Sequence, residues 1–188
     1  MKFLFTADTH FNHANIIKYC NRPFFSSEHM DMELVQRWNA KVEPEDTVLH
    51  LGDFGFCDKE KNYEYYADQL NGKIIIIRGN HDGRSSSRSI IHTAMVRIGG
   101  QEFYCAHEPG TLRPINLCGH VHDNWKVIKI KNVFIVNVGV DVWDYEPIDV
   151  NQILGAVNDY RSYFGDKDAP LSNVPMNSRK INRPNALR

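Results

Sequence analysis

What most constrains this chain is a set of short, β-branched or aromatic runs, five of which deliver a polar side chain at or just past their ends. They span residues 2–7, 47–52, 73–79, 94–100, 102–107, 115–120 and 133–139, bounded by Gly, Asp or Asn. Stretches with helical spacing lie between the early ones. Residues 28–42 repeat Met30, Leu34, Trp38 and Val42, with Ser27 as the expected N-cap and Glu28 and Asp31 in the first turn. Residues 58–71 align Tyr63, Tyr66, Ala67 and Leu70 and stop at Asn71–Gly72. Residues 149–164 align Ile153, Val157, Tyr160 and Phe164, and a shorter helix is expected over 12–20. Gly99–Gly100 reads as a hairpin turn. Helical crossovers early and hairpins late predict an α/β fold, a mixed sheet or pair of sheets flanked by helices.

The ends of these runs carry the chemistry. In "KIIIIRGNHD" (73–82), four isoleucines predict a strand buried on both faces, yet it runs into Asn80, His81 and Asp82. Asp8 and His10 follow the first run in "ADTH", Asp53 follows the second in "HLGDF", and His107 ends "EFYCAH". His120 and His122 close the next run in "GHVH". Ligands of open α/β sheets bind outside the carboxyl ends of strands, so these groups are expected to share one cleft. Asp8 and His10 stand two apart on what reads as an extended chain, as do His120 and His122, so each pair is expected to face one side. Mixed nitrogen and oxygen donors suit divalent metals such as Mn, Fe and Zn. Alone, each fragment is ordinary turn chemistry; the ordered set, each member after a strand, is what carries weight.

The 188 residues suit one domain, and a net charge of −1 with a pI near 6.7 gives no general reason to expect nucleic-acid or anionic-membrane binding. No run approaches the roughly 20 apolar residues of a membrane span. Asp8 and His10 interrupt any signal-peptide core, and the four cysteines lack C-x-x-C spacing, so a reducing, cytoplasmic setting without membrane partners is expected. The domain is expected over 1–164. From residue 165 an Asn/Pro-rich tail carries five Lys or Arg against two Asp, expected as a strap over the core or loosely ordered.

The ordered set "DTH", "GDF", "GNHD", "AHEP" and "GHVH" resembles the signature of calcineurin-like metallophosphoesterases, complete over residues 8–122. The stretches 10–24 and 137–148 look like those of a compact subgroup from bacteria and phages, and the resemblance extends to about residue 160. It implies a four-layer α/β/β/α sandwich with two divalent metal ions at the strand ends, Mn foremost, with Fe, Zn, Ni or Mg also compatible. By that resemblance Asp8, His10 and His122 hold one metal, Asn80, His107 and His120 the other, and Asp53 bridges them. His81 would be the general acid, oriented by Asp82.

Asn12, His13 and Arg22 are the candidate substrate contacts, each weighed against a structural salt bridge or cap, as are Arg78 and Arg84. His50 reads as a hydrogen-bonded core residue, and packing outweighs a cleft wall for Trp143 and Tyr145. The resemblance leaves no length for a cap domain, which leans the reading towards a phosphodiesterase acting on a nucleotide, a nucleic-acid end or another small diester. A phosphomonoesterase of the same fold is the alternative. A non-catalytic scaffold is the alternative of another class, and the presence of His81 with every ligand weighs against it. A phosphoester substrate is the expected partner, and a homo-oligomer is compatible with the sequence.

Overall fold

The computed structural model describes residues 1–56, 61–83 and 89–165. The 165–188 tail expectation (from 166 on), most of the 83–89 loop, Arg84 and the start of the 58–71 helix lie outside the described residues. The elements are β1 (Phe3–Thr6), α1 (Ala14–Tyr19), α2 (Ser27–Lys41), β2 (Thr47–His50), α3 (Tyr63–Ala67) and β3 (Lys73–Ile76). There follow β4 (Thr93–Ile98), β5 (Gln101–Ala106), β6 (Ile115–Cys118), β7 (Val127–Ile130), β8 (Val133–Asn137), β9 (Ile148–Asp149) and α4 (Val150–Phe164).

They build two mixed sheets flanked by helices. The first has order β3-β2-β1-β9, with β1, β2 and β3 parallel and β9 antiparallel to β1. The second has order β4-β5-β6-β8-β7, in which β5, β6 and β8 run parallel and the hairpin strands β4 and β7 close the edges. Period-two alternation sends Leu4 and Val48 to one face of the first sheet, against α1, α2 and α3 through Ile16, Met30, Leu34, Trp38 and Tyr66. Phe5 and Leu49 point the other way and join Phe103, Cys105, Leu117 and Val136 between the sheets. Helix α4 packs on β7, β8 and β9 and adds Ile153, Val157 and Tyr160 to that core. No helix among the described residues is long and apolar enough to cross a membrane.

Several local expectations shift. Helix α2 is capped by Ser26, whose side chain accepts the His29 N–H, not by Ser27. Helix α3 is only a turn and a half, starting where the Asn62 side chain caps Tyr65. The isoleucine strand is not buried on both faces, because β3 is the sheet edge and Ile75 is 41% exposed there; Ile76 and Ile77 are buried. Strands β7 and β9 escaped the sequence reading altogether. Cys20, Cys105 and Cys118 are buried free thiols.

Candidate metal centre

The carboxyl ends of six parallel strands meet because the two sheets are stitched together there. Ala7 and Gly139 form a parallel bridge between them, and the Val140 N–H reaches the Ala7 carbonyl at 3.0 Å. Within the first sheet the loops after β1 and β2 are tied by Asp8 N–H to Gly52 O at 3.0 Å and His10 N–H to Asp53 O at 3.1 Å. Within the second, the Gly119 N–H donates to His107 O at 3.0 Å.

The backbone in these loops is not extended. Asp8, His10, Asp53, His120 and His122 all have positive φ, between 48° and 71°. Asp and His tolerate this left-handed region better than most residues, though it remains sparsely populated. The paired residues of "DTH" and "GHVH" therefore reach one cleft by alternating left-handed turns, which corrects the extended-chain expectation.

Asp53 lies at the middle of the cluster. Its Oδ2 is 3.3 Å from His107 Nε2 and 3.6 Å from His10 Nε2, while its Oδ1 accepts the His81 backbone N–H at 2.8 Å. Asn80 Oδ1 lies 2.7 Å from His107 Nε2 and 2.8 Å from His120 Nδ1. On the other side, donor atoms of Asp8, His10 and His122 all fall within 4.8 Å of one another, as do those of Asp8, Asp53 and His107. The Asp8 carboxylate accepts the His120 N–H through both oxygens, at 3.1 and 2.9 Å. Two glycines leave room for it: a Cβ on Gly119 would stand 2.5 Å from Asp8 Oδ2, and one on Gly139 2.8 Å.

The electrostatics are those of a cation site. Burial raises the Asp8 carboxyl to about 6 and holds His10 well below its ordinary 6.5. Burial also pushes Asp53 up, but the His107 hydrogen bond and the charges of His107 and His10 outweigh it and hold Asp53 low. Burial alone would lower His107; the Asp53 hydrogen bond and the Asp8 and Asp53 charges carry it to about 9. His10 supplies the test of fit for a metal. Its Nε2 is buried and has no hydrogen-bond partner, while its Nδ1 lies 3.3 Å from His13 Nδ1. An orphaned, neutral imidazole nitrogen aimed at a carboxylate oxygen is an electron pair waiting for a cation. The donor set therefore fits a metal.

The orientation of each imidazole comes from the layer behind it. His107 Nδ1 bonds Leu51 O at 2.8 Å, leaving Nε2 for the cluster. His122 Nδ1 bonds Asp141 Oδ2 at 3.0 Å. Buried Asn137 donates to His122 O at 2.7 Å and Trp125 O at 3.0 Å, and so pins the "GHVH" loop. Neither Asp141 nor Asn137 was singled out from sequence. Asp141 follows the run 133–139, so the same strand-end rule that marked Asp53 would have marked it.

Two expected roles change. Arg22 does not face a substrate. Its side chain is fully buried, forks onto both Asp141 oxygens at 2.7 and 2.9 Å, and donates to Asp8 O at 2.7 Å and Thr9 O at 3.0 Å. Asp82 does not spend its carboxylate on His81. It accepts the backbone N–H groups of Gly79, Asp53 and Phe54 at 2.8, 2.9 and 3.0 Å, which clamps the β2 and β3 loops together. A Cβ on Gly79 would collide with the Asp53 backbone nitrogen at 2.3 Å, so that clamp needs glycine.

Of the remaining candidates, Asn12, His13 and His81 sit around the rim. Asn12 donates its side-chain amide to Phe56 O at 3.0 Å, and Asp31 holds its backbone N–H at 3.0 Å. The His13 ring stacks on Phe56 with centroids 4.0 Å apart. His81 is exposed at the mouth, its ring 5.7 Å from that of His10. His50 is a buried core residue bonded to Thr9. Trp143 packs, with its indole N–H on Asn137 O at 2.7 Å, and Tyr145 stands edge-on to Phe24.

Comparison with known proteins gives the same picture. The family profile described as "Calcineurin-like phosphoesterase superfamily domain" matches residues 1–144. The uncharacterized protein MJ1445 of Methanocaldococcus jannaschii is 37% identical over 163 residues, covering 81% of this chain and 89% of that protein. Among solved structures, AQ665 of Aquifex aeolicus, a protein of unknown function, superposes with a TM-score of 0.64 at 24% identity. That match covers 82% of this chain and 98% of AQ665, and shows the shared fold.

Proposed function

We propose, from the premise that this chain belongs to the calcineurin-like phosphoesterase superfamily, that it is a phosphodiesterase working with two divalent metal ions. One observation carries the reading. A single oxygen, Asp53 Oδ2, faces His10 Nε2 at 3.6 Å on one side and His107 Nε2 at 3.3 Å on the other. A carboxylate so placed is suited to bridge two cations. Asp8, His10 and His122 would complete one ion's shell, and Asn80, His107 and His120 the other's. Manganese fits the mixed donors best, with Fe, Zn, Ni and Mg as the other candidates. Ions held there would supply positive charge for the phosphoryl oxygens and acidity for water.

The chain's own residues do the rest. Asp53 keeps the two halves in register and, through Oδ1, fixes the backbone of His81. His81 is the exposed imidazole at the mouth and would hand a proton to the departing alkoxide, an effect worth about 10²–10⁴-fold. The Asp82 clamp holds the His81 loop without touching the transferred proton. An open mouth, with Asn80 and His81 both exposed, favours a diester over a monoester.

The experiment uses metal-reconstituted protein with a nitrophenyl monoester and a bis-nitrophenyl diester, with Mn, Ni, Zn and Mg in turn. Diester turnover that vanishes in Asp53→Ala supports the reading. A preference for the monoester would make the chain a phosphatase of the same fold. Stoichiometric metal binding without turnover would make it a scaffold.

A further inference from the structure

The candidate metal centre lies between two clefts of opposite character. One, about 280 Å³, opens on the His10 and His122 side and is walled by His13, Ile16, Tyr19 and His81, with Asp123 and Asn124 at its polar end. The other, about 450 Å³, opens on the Asn80 and His107 side and is lined by Arg78, His92 and Tyr104. A phosphorus atom at the centre thus has room for an organic group on each side.

The first cleft is aromatic in an unusual way for a solvated rim. Of its lining residues Tyr19 is 73% exposed, and His13 stands beside it, backed by Phe56. The His13 ring stacks on Phe56 on one face, with centroids 4.0 Å apart, and meets Tyr19 edge-on at 6.4 Å. Exposed rings held in place beside a reaction centre offer flat faces to a planar ligand, and any base has such a face. Asp123 and Asn124 add an acceptor and an amide for its polar edge. The second cleft is cationic. Among the described residues the side chains of Arg78 and His92 pair with no carboxylate, and Glu108 is the one acid in the lining. Arg78 is exposed, while its backbone N–H is anchored to Ile91 O at 2.7 Å, so the guanidinium extends from a fixed backbone.

We propose that the substrate is a short nucleotide diester, with a base stacked in the His13/Tyr19 cleft and a further phosphate held by Arg78 and His92 across the centre. This rests on the phosphodiesterase reading and deepens it. The near-neutral net charge of −1 fits a short oligonucleotide rather than a long duplex, whose binding is driven by many phosphate contacts.

The test uses the full-length, Mn-loaded protein and four substrates. These are nitrophenyl methyl phosphate, the thymidine dinucleotide without terminal phosphate, and the same dinucleotide phosphorylated at its 5′ or its 3′ end. In Tyr19→Ala, the ratio of kcat/KM for the plain dinucleotide to that for nitrophenyl methyl phosphate should fall about tenfold, as loss of one base–aromatic contact would give. In the wild type, one of the two phosphorylated dinucleotides should exceed the plain one by about tenfold, and Arg78→Ala should bring that ratio close to one. Both side chains are exposed, so the variants fold, which circular dichroism checks. Turnover of nitrophenyl methyl phosphate with both ratios unmoved by the variants overturns this inference and leaves the phosphodiesterase standing. Turnover of none of the four overturns both.

Discussion

His122 Nδ1 and Asp141 Oδ2 lie 3.0 Å apart, and Arg22 grips the same carboxylate from behind through two hydrogen bonds. Burial would lower the His122 imidazole, but the hydrogen bonds to Asp141 and Cys20 and the charge of Asp8 raise it to about 11. Asp141 is itself held low: burial pushes it up, and His122 and Arg22 more than offset that. The bond commits Nδ1, so a metal would take Nε2 in exchange for its proton, the arrangement by which a carboxylate behind a histidine tunes its affinity. Asp141→Asn keeps the shape and removes the charge. Metal affinity should drop about 10- to 100-fold, read by competition with a chromophoric chelator. An unchanged affinity would mean that His122 is not a ligand or does not need Asp141.

Arg22 is a framing residue, and its removal should show in stability before it shows in kinetics. Arg22→Ala strands the buried Asp141 carboxylate and leaves the Asp8 and Thr9 carbonyls without their donor. Breaking one side of such a buried pair costs about 3–5 kcal/mol. Urea melts in the presence of a chelator should show that loss with no metal involved. A variant of normal stability and raised KM would return Arg22 to the substrate.

What the sequence revealed follows from where each signal is stored. β1 and β2 are buried on both faces, so Leu4, Phe5, Val48 and Leu49 give an unbroken apolar run that local reading detects. β9 is two residues defined only by pairing with β1, and nothing in Ile148–Asp149 announces it. β7 hides because buried Lys129 sits in its middle and reads as surface. At the site, Asp8, His10, Asp53, Asn80, His81, His107, His120 and His122 were read from their place at strand ends, whereas Asn137 at the end of β8 and Asp141 just past it were not. What was not legible is partnership. Arg22 and Asp141 are 119 positions apart, and only the closed fold brings them together. The left-handed turns were equally hidden, since Asp and His do not announce positive φ as glycine does.

Glycine substitutions should separate packing at the site from packing elsewhere. A Cβ on Gly119 would lie 2.5 Å from Asp8 Oδ2 and 2.6 Å from Ala7 Cβ, so Gly119→Ala must push the Asp8 carboxylate away. The stability loss should be about 1–3 kcal/mol, with metal content falling below one ion per chain by elemental analysis. Gly155, inside α4, has nothing within 4 Å of its would-be Cβ. There the same change should stabilise by about 0.5–1 kcal/mol through helix propensity alone. If Gly119→Ala bound metal as the wild type does, Asp8 would not be held where the ligand role requires.

His50 offers a reading of pH at the core of the site's support. The Gly52 N–H donates to His50 Nδ1 at 3.2 Å, so Nδ1 must be unprotonated, and Nε2–H faces Thr9 Oγ1 at 3.0 Å. The Thr9 hydroxyl donates on to Phe54 O at 2.7 Å, which fixes the direction of the whole chain. Burial lowers the imidazole from its ordinary 6.5 to about 3, against the pull of Asp53. With the folded value below the unfolded one, the unfolded chain takes the proton first. This contribution to stability is complete above pH 6.5 and is lost as pH falls towards 3, by up to about 1.4 kcal/mol per pH unit. Long-range ¹H–¹⁵N spectra of the folded protein should show His50 as the neutral Nε2–H tautomer, unchanged from pH 7 to pH 5. An imidazolium pattern at pH 5 in protein that is still folded would mean that the Gly52–His50–Thr9–Phe54 chain is not what orders the β2 loop.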